Sequence, residues 1–470
     1  MQYSPDRRTA LVFSGTGVDG AYHAGALRAL NEAGVRVDLL AGHGIGTVGA
    51  LFGAIDGGSR LWDPGGLWRS AAISHLYSWR VALRRLVFGL VIAGLLLTIP
   101  ALVLAASAAV FQLALLHDSV RPGTAAWLTP AWDGMLAAAF APGALPTRLP
   151  QLVTAVIAIV VVGVLVAAVR ARRAAPTRRD VRDGVWWSVL GAPLSPATPL
   201  FVTGLWDLLR GGAQVRQPAL LDLSRRYAEL LTDSLDQPGF RELLLVAHDL
   251  DARQDLVFAL LATPWRRAFF LRRQATGHDR RSAEAVDLAG AARDHVLDAV
   301  AGSLAIPAAT DPHLLTFAPE SYWRGETHRL CARPGALQRV LEEVANAGVR
   351  QVVLVTASEA LGAPHALSRR RLAPRARLGD YLASSEAAAV RDAIGVAGAW
   401  FDALFVVRPA HNPITALDTA GAFDERSDRP HGVSELVDRG YEDAYRQFID
   451  PVVGASGEQM AAGDPVRTAE

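Results

Sequence analysis

The sequence predicts an α/β protein: a largely parallel sheet flanked by helices and interrupted by a hairpin of two apolar helices. Three observations predict it. Two strand, glycine-turn, helix units follow one another at the N-terminus: TALVF, SGTGVDG and AYHAGALRALNEAG over 9–34, then VRVDLL, AGHGIG and TVGALFGAI over 35–55. From 225 to 358 helix-like and strand-like segments alternate, the pattern of parallel strands whose crossover helices cover both faces of a sheet. Between these regions lie two long runs without a charged residue.

The elements follow from periodicity and punctuation. RRYAELLTDSL (225–235) reads as a helix and ELLLVAHDL (242–250) as a strand. AARDHVLDAVAGSLAIP (291–307) is a helix halted before Pro307, and GALQRVLEEVANAG (335–348) a helix closed by glycine. RQVVLVTAS (350–358) is a buried strand, and GASGEQMAAGDPVRTAE (454–470), small, polar and aperiodic, reads as a disordered tail. The expected division is 1–80, an apolar insertion at 81–175, a continuation of the first unit at 176–453, and the tail.

Phe88 to Leu116 holds no charge in 29 positions and Leu152 to Val169 none in 18, against the roughly 20 apolar residues that cross a bilayer. Both are expected to be transmembrane helices, at about 88–116 and 152–169. Arg80, Arg84 and Arg85 precede the first, and Arg170, Arg172, Arg173, Arg178 and Arg179 follow the second, whereas the intervening loop holds only Arg121 and Arg148. By the distribution of positive charge, both termini and the α/β part are expected on the cytoplasmic side. The aromatic runs RLWDPGGLW (60–68) and LYSW (76–79) suit either headgroup contact or ordinary packing, and WRRAFFLRR (265–273) either anionic lipid or a half-buried helix.

Composition narrows the function. The chain has 470 residues, 51% of them hydrophobic, and a formal charge of +1 from 47 basic and 46 acidic side chains, with a mean hydropathy of +0.21. That balance argues against a nucleic-acid partner. A single cysteine, Cys331, excludes an internal disulfide and a cysteine zinc site, and reads as a small buried hydrophobe. The polar start MQYSPDRRTA carries no signal-peptide pattern. No cofactor and no metal set is indicated.

Gly15, Gly17 and Gly20 give the first turn a G-x-G-x-x-G pattern. Glycines there let backbone N–H groups at a helix start point at an anion, either a dinucleotide pyrophosphate or the oxyanion of an acyl-transfer intermediate. A dinucleotide fold wants an acidic residue at the end of the second strand; Asp38 lies inside it, and the strand ends instead in a second glycine turn. Two such turns side by side suit an oxyanion loop beside a nucleophile elbow.

At this point the chain resembles the patatin-like phospholipases. SGTGVDGAYHAGALRAL (14–30) is similar to their oxyanion loop and helix, GHGIG (42–46) to their G-x-S-x-G elbow, LLLVAHDLDARQDLVFALL (243–261) to their central strand pair, AVAGSLAIPAATDP (299–312) to their A-S-x-A-I-P segment and RQVVLVTAS to the strand beyond it. The likeness covers about 9–62 and 242–358. It implies a serine–aspartate dyad, the serine attacking an acyl ester, the aspartate acting as base and glycine N–H groups holding the oxyanion. Matched residue by residue, the nucleophile position is Gly44 and the base position, in Tyr322-Trp323-Arg324-Gly325-Glu326, is Arg324. Gly15, Thr16, Gly17 and Gly20 form the oxyanion-type loop, with Thr16 where a glycine and Asp19 where a basic residue is usual. A guanidinium cannot serve as a base near neutral pH.

Substitutes are few. His43 adjoins the elbow; Ser14, Thr16 and Thr47 suit turns and caps. Asp418, Asp424 and Asp428 form an acidic loop that suits a cation or plain solvation. His248 and Asp249 sit on opposite faces of a strand, and His278-Asp279 is a second adjacent pair. The expected function is a non-catalytic, membrane-anchored protein that binds acyl lipid or serves as a scaffold. The alternatives are an acyl-ester hydrolase with displaced catalytic residues and a nucleotide-binding regulator.

Overall fold

The computed structural model describes residues 3–118, 123, 130, 132–135, 137–138, 141, 145–174, 192–275, 284–359 and 374–454. The chain divides into two units, Met1–Ser78 with Ser195–Glu470, and Trp79–Leu194. His278-Asp279, Arg121, Arg178, Arg179 and all of the expected tail beyond Gly454 lie outside the described residues.

The larger unit is built on one sheet. Its strands are β1 (Thr9–Gly15), β2 (Leu39–Gly44), β3 (Glu242–Asp249), β4 (Gln254–Leu260), β5 (Ala285–Asp287), β6 (His313–Thr316), β7 (Thr327–Cys331), β8 (Gln351–Thr356) and β9 (Ala403–Val407). The order is β5-β4-β3-β2-β1-β8-β9, with β7 paired to β3 and to β6. β3, β2, β1, β8 and β9 run parallel, whereas β3–β4, β3–β7 and β6–β7 are antiparallel. The sheet is thus parallel at its centre and mixed at one side.

β1 (TALVFSG) and β8 (QVVLVT) are buried along their whole length, as central strands covered on both faces must be. The helices of this unit include α1 (Asp19–Glu32), α2 (Gly46–Gly53) and, beyond the apolar insertion, α5 (Thr198–Arg210), α6 (Leu220–Ser234), α7 (Trp265–Ala275), α8 (Val296–Leu304), α9 (Leu337–Asn346), α10 (Pro374–Ala397) and α11 (Val433–Ala444). On one face β1, β2, β3, β4 and β8 share a core with α9 and α10, through Val12, Leu244, Val257, Leu337, Leu341, Leu354, Val390 and Ala393. α1 and α11 pack with their backbones close: a Cβ added to Gly25 would stand 1.8 Å from the Val437 carbonyl oxygen, and one on Gly440 2.2 Å from that of Tyr22. The aromatic runs are packing elements. Trp68 and Tyr77 are buried, and the Tyr77 hydroxyl donates to the Leu304 carbonyl at 2.9 Å.

The smaller unit contains α3 (Val81–Asp118) and α4 (Leu145–Ala174). They touch where a Cβ on Gly89 would stand 3.1 Å from Val160 Cγ2, and many apolar side chains are exposed, Phe88 and Ile159 among them. Here the sequence expectation is corrected. Among the described residues no helix is long and apolar enough to cross a membrane. The transmembrane helices expected at 88–116 and 152–169 are therefore not supported, and the membrane anchoring and cytoplasmic placement that rested on them fall too.

Candidate functional site

The two glycine turns stand side by side because β1 and β2 are parallel neighbours in register, with Ser14 opposite His43 and Gly15 opposite Gly44. Each strand ends there and a helix begins, α1 at Asp19 and α2 at Gly46. Gly44 has φ +56°, a left-handed conformation that glycine adopts without strain, so the chain turns sharply at the position where an elbow would carry its nucleophile.

The turn has no space for one. A Cβ on Gly44 would stand 2.3 Å from the Gly15 carbonyl oxygen, with Thr16 Oγ1 the next side-chain atom at 3.8 Å. The same carbonyl accepts the Ile45 N–H at 3.0 Å, and the N–H after the nucleophile is the one an elbow contributes to an oxyanion hole. Other donors of the first turn are also engaged internally. Thr16 N–H donates to Asp19 Oδ2 at 2.8 Å, and Val18 N–H to the Ala416 carbonyl at 2.9 Å. Gly17, with φ +64°, is held so closely that a Cβ would stand 1.8 Å from that Ala416 oxygen. Gly20 makes room for the Trp68 indole, 2.2 Å from where its Cβ would be. Asp19, in the place of a basic residue, supplies the acceptor for the turn's own Thr16 N–H; burial raises its carboxyl to about 7.

His43 belongs to a buried polar cluster. Ser14 Oγ lies 3.1 Å from His43 Nε2 and donates to Glu386 Oε1 in a short hydrogen bond; His43 Nε2 is 3.2 Å from the same Glu386 oxygen. All three side chains are buried. In a nucleophile triad the acid holds the imidazole nitrogen remote from the serine. Here the acid and the serine share one nitrogen, and the contacts are satisfied when Nε2 carries a hydrogen, which leaves it no lone pair to act as base. Burial would raise Glu386, but His43 and Ser14 outweigh it and hold the carboxyl low. His23 completes the cluster. One ring nitrogen bonds the Ser14 carbonyl at 3.1 Å, and burial lowers it to about 4. Among the described residues its Nδ1 and Glu386 Oε2 are buried without a hydrogen-bond partner.

The remaining sequence candidates do not converge on this place. Arg324 is exposed, in a left-handed turn at φ +46° between β6 and β7, and its N–H donates to the Ser321 carbonyl at 3.0 Å. The atoms nearest a Cβ on Gly44 come from Gly15 and Thr16, not from Arg324. Thr47 caps its own turn, its hydroxyl on the Gly44 carbonyl at 2.8 Å. His248 pairs with Asp255, while Asp249 pairs with His328. Asp418 binds the N–H and hydroxyl of Thr415, Asp424 faces His411 and Ser427, and Asp428 is exposed. Among the described residues no group of acidic, histidine or cysteine side chains is arranged to hold a metal ion.

Sequence reading missed Glu386, His23 and Ala416. Glu386 had a signal: with Leu382, Val390, Ala393 and Ala397 it shares the buried face of α10, a carboxylate at an apolar spacing. Ala416 had none, since nothing local marks an alanine as the cover of a distant turn.

Strand, glycine turn and helix, twice over at one sheet edge, define the class: an α/β protein with a closed elbow. No protein-family model matches the chain, and no curated protein matches it. Among solved structures, the crystal structure of VipD from Legionella pneumophila is similar at a TM-score of 0.29 and 13% identity, over 95% of this chain and 68% of that one. A likeness at that level fixes neither fold nor function.

Proposed function

We propose that this chain is a patatin-like protein that does not hydrolyse acyl esters at its elbow and acts by binding or scaffolding. The observation that carries this reading is the Gly15 carbonyl, which fills the space of a side chain at Gly44 and takes the Ile45 N–H. Nucleophile and one oxyanion donor are therefore lost together. Removing the nucleophile from a coupled catalytic unit costs about 10⁶-fold in rate, and an oxyanion hole with substrate binding retains only about 10³–10⁴-fold over water. The patatin-like assignment rests on the order of the turn, elbow and A-I-P segments, and an acyl lipid is the ligand class that this resemblance implies.

The hydrolase with displaced residues finds no support in Ser14, His43 and Glu386, which are buried and share the wrong nitrogen. The nucleotide reading is weakened by Asp38. It precedes β2 and accepts the Thr9 N–H at 2.8 Å, at the end of the strand remote from Gly15 and Gly44. Release of p-nitrophenol from short-chain esters by the purified full chain tests the proposal. The expected rate equals that of buffer; turnover abolished by a substitution within 14–20 or 42–47 would overturn it.

A further inference from the structure

Tyr322 and Trp323, in the segment that the resemblance matches to a base turn, line a cavity of their own. It measures about 380 Å³ and lies among β5, the turn before α8 and the loop that joins β6 to β7; none of its lining residues belongs to either glycine turn. Phe317, Tyr322 and Trp323 give it three aromatic rings. The Trp323 ring centroid is 4.5 Å from that of His328, 5.1 Å from that of Tyr322 and 6.1 Å from that of Phe317. Its N–H is buried and, among the described residues, has no hydrogen-bond partner, so packing sets the indole. The planes of Tyr322 and Trp323 meet at 86°, and Tyr322 is left 56% exposed. The two rings thus form a corner that solvent reaches.

The charged lining is acidic. Among the described residues Asp287 and Glu320 line the cavity and no lysine or arginine does. Asp287 is engaged: Arg266 forks onto it at 2.7 and 3.1 Å, and the Ala289 N–H donates to it at 3.1 Å. Glu320 is exposed and, among the described residues, takes part in no hydrogen bond or ion pair. The cations nearby are occupied or outside. Arg293 bonds Glu229 and the Gly290 carbonyl, and Arg324 is exposed and does not line the cavity. The Ser321 hydroxyl gives its hydrogen to the Ala318 carbonyl at 2.6 Å. His295 forms a fixed wall, its Nδ1 2.8 Å from Asp298 Oδ2, and Asp298 is itself tied to His313 Nε2 at 2.7 Å. Ring faces carry the negative part of the aromatic quadrupole, and the free carboxylate adds a full charge. Both attract a cation, and quaternary ammonium groups are what such aromatic corners recognise. A phosphate would find no cationic side chain on this lining.

We propose that this cavity binds a small, free alkylammonium ion, seated against Tyr322 and Trp323 with Glu320 as its counter-ion. The volume falls within the roughly 300–1,000 Å³ of small-molecule sites, and the lining pairs apolar faces with one unpartnered charge. The lack of a cationic side chain on the lining selects a free ammonium over a phosphate ester of one. The site is separate from the closed elbow, so the inference goes beyond the proposed function and does not depend on it.

Calorimetric titration of the full chain with choline, a quaternary alkylammonium, tests the site. Saturable binding is expected. The neutral tert-butyl analogue of choline, with carbon in place of nitrogen, should bind about 10-fold more weakly or worse, and phosphocholine should also bind more weakly than choline. Tyr322→Leu and Glu320→Gln change exposed side chains and should leave thermal unfolding unaltered, yet each should weaken choline binding by about 5-fold or more. Trp323→Leu should abolish it; should that variant fail to fold, the two exposed substitutions carry the test. No saturable uptake of choline, equal binding of the neutral analogue or of phosphocholine, or full affinity in either exposed variant overturns the site. Ester hydrolysis would refute the proposed function without touching this result.

Discussion

The Gly15 carbonyl oxygen lies 2.3 Å from the point where a side chain on Gly44 would begin. The elbow position is thus occupied by the backbone of the neighbouring strand, and a serine placed there meets a group that cannot rotate away. Loss of a nucleophile and closure of its space are one structural fact.

Gly44→Ser should therefore destabilise the protein and create no esterase. The left-handed backbone costs a non-glycine residue about 1–2 kcal/mol, and overpacking adds about 1–3 kcal/mol. Urea denaturation should show a loss of roughly 2–5 kcal/mol. The double variant Gly44→Ser/Arg324→Asp should also be inactive, because Arg324 is exposed in a hairpin turn whose N–H is held by Ser321. Ester turnover by the double variant would show that the elbow opens.

Glu386→Ala should cost about 2–4 kcal/mol, since it strips the buried Ser14 and His43 of the acceptor they share. Equilibrium unfolding checks this, and a change below about 0.5 kcal/mol would remove the cluster from the account of stability.

Two buried groups give opposite pH dependences. His23 is lowered to about 4 from an ordinary 6.5, so the unfolded chain binds its proton first. The stability this neutral histidine retains is complete above about pH 6.5 and is lost as pH falls towards 4, by roughly 3 kcal/mol. Asp19 is raised to about 7 from 3.8, so the folded chain holds its proton longer, and stability declines as pH rises from about 4 to 7, by up to about 4 kcal/mol. His23→Gln should flatten the acid limb of stability against pH, and Asp19→Asn should raise stability at pH 8. Thermal unfolding between pH 4 and 8 reads both; unchanged limbs would contradict the burial assigned to these side chains.

Gly17→Ala should be as damaging as Gly44→Ser, for it combines φ +64° with a contact of 1.8 Å to the Ala416 oxygen. Gly34, also left-handed at φ +65° but with nothing within 4 Å, supplies the control: Gly34→Ala should cost only the backbone strain, about 1–2 kcal/mol. Equal losses at the two sites would mean that Ala416 does not press on the turn.

Much of the fold could be read from local pattern, because β1, β2, β3 and β8 are short apolar runs bounded by glycine or charge, and their crossover helices show regular spacing. The two turns could be read as well, since glycine at Gly17 and Gly44 marks the left-handed positions. The closure could not. It depends on Ala416, about four hundred residues from Val18 in sequence, and on Gly20 accommodating Trp68, and neither leaves a local trace. The apolar runs misled for another reason: absence of charge over 88–116 and 152–169 records composition alone, and among the described residues no helix is long and apolar enough to cross a membrane.

The most direct test of the closed elbow is intact-mass and peptide analysis of the full chain after reaction with a serine-directed fluorophosphonate. The account predicts an unchanged mass and unmodified peptides over 9–34 and 35–55. A stoichiometric adduct on Ser14, Thr16 or Thr47 would contradict it.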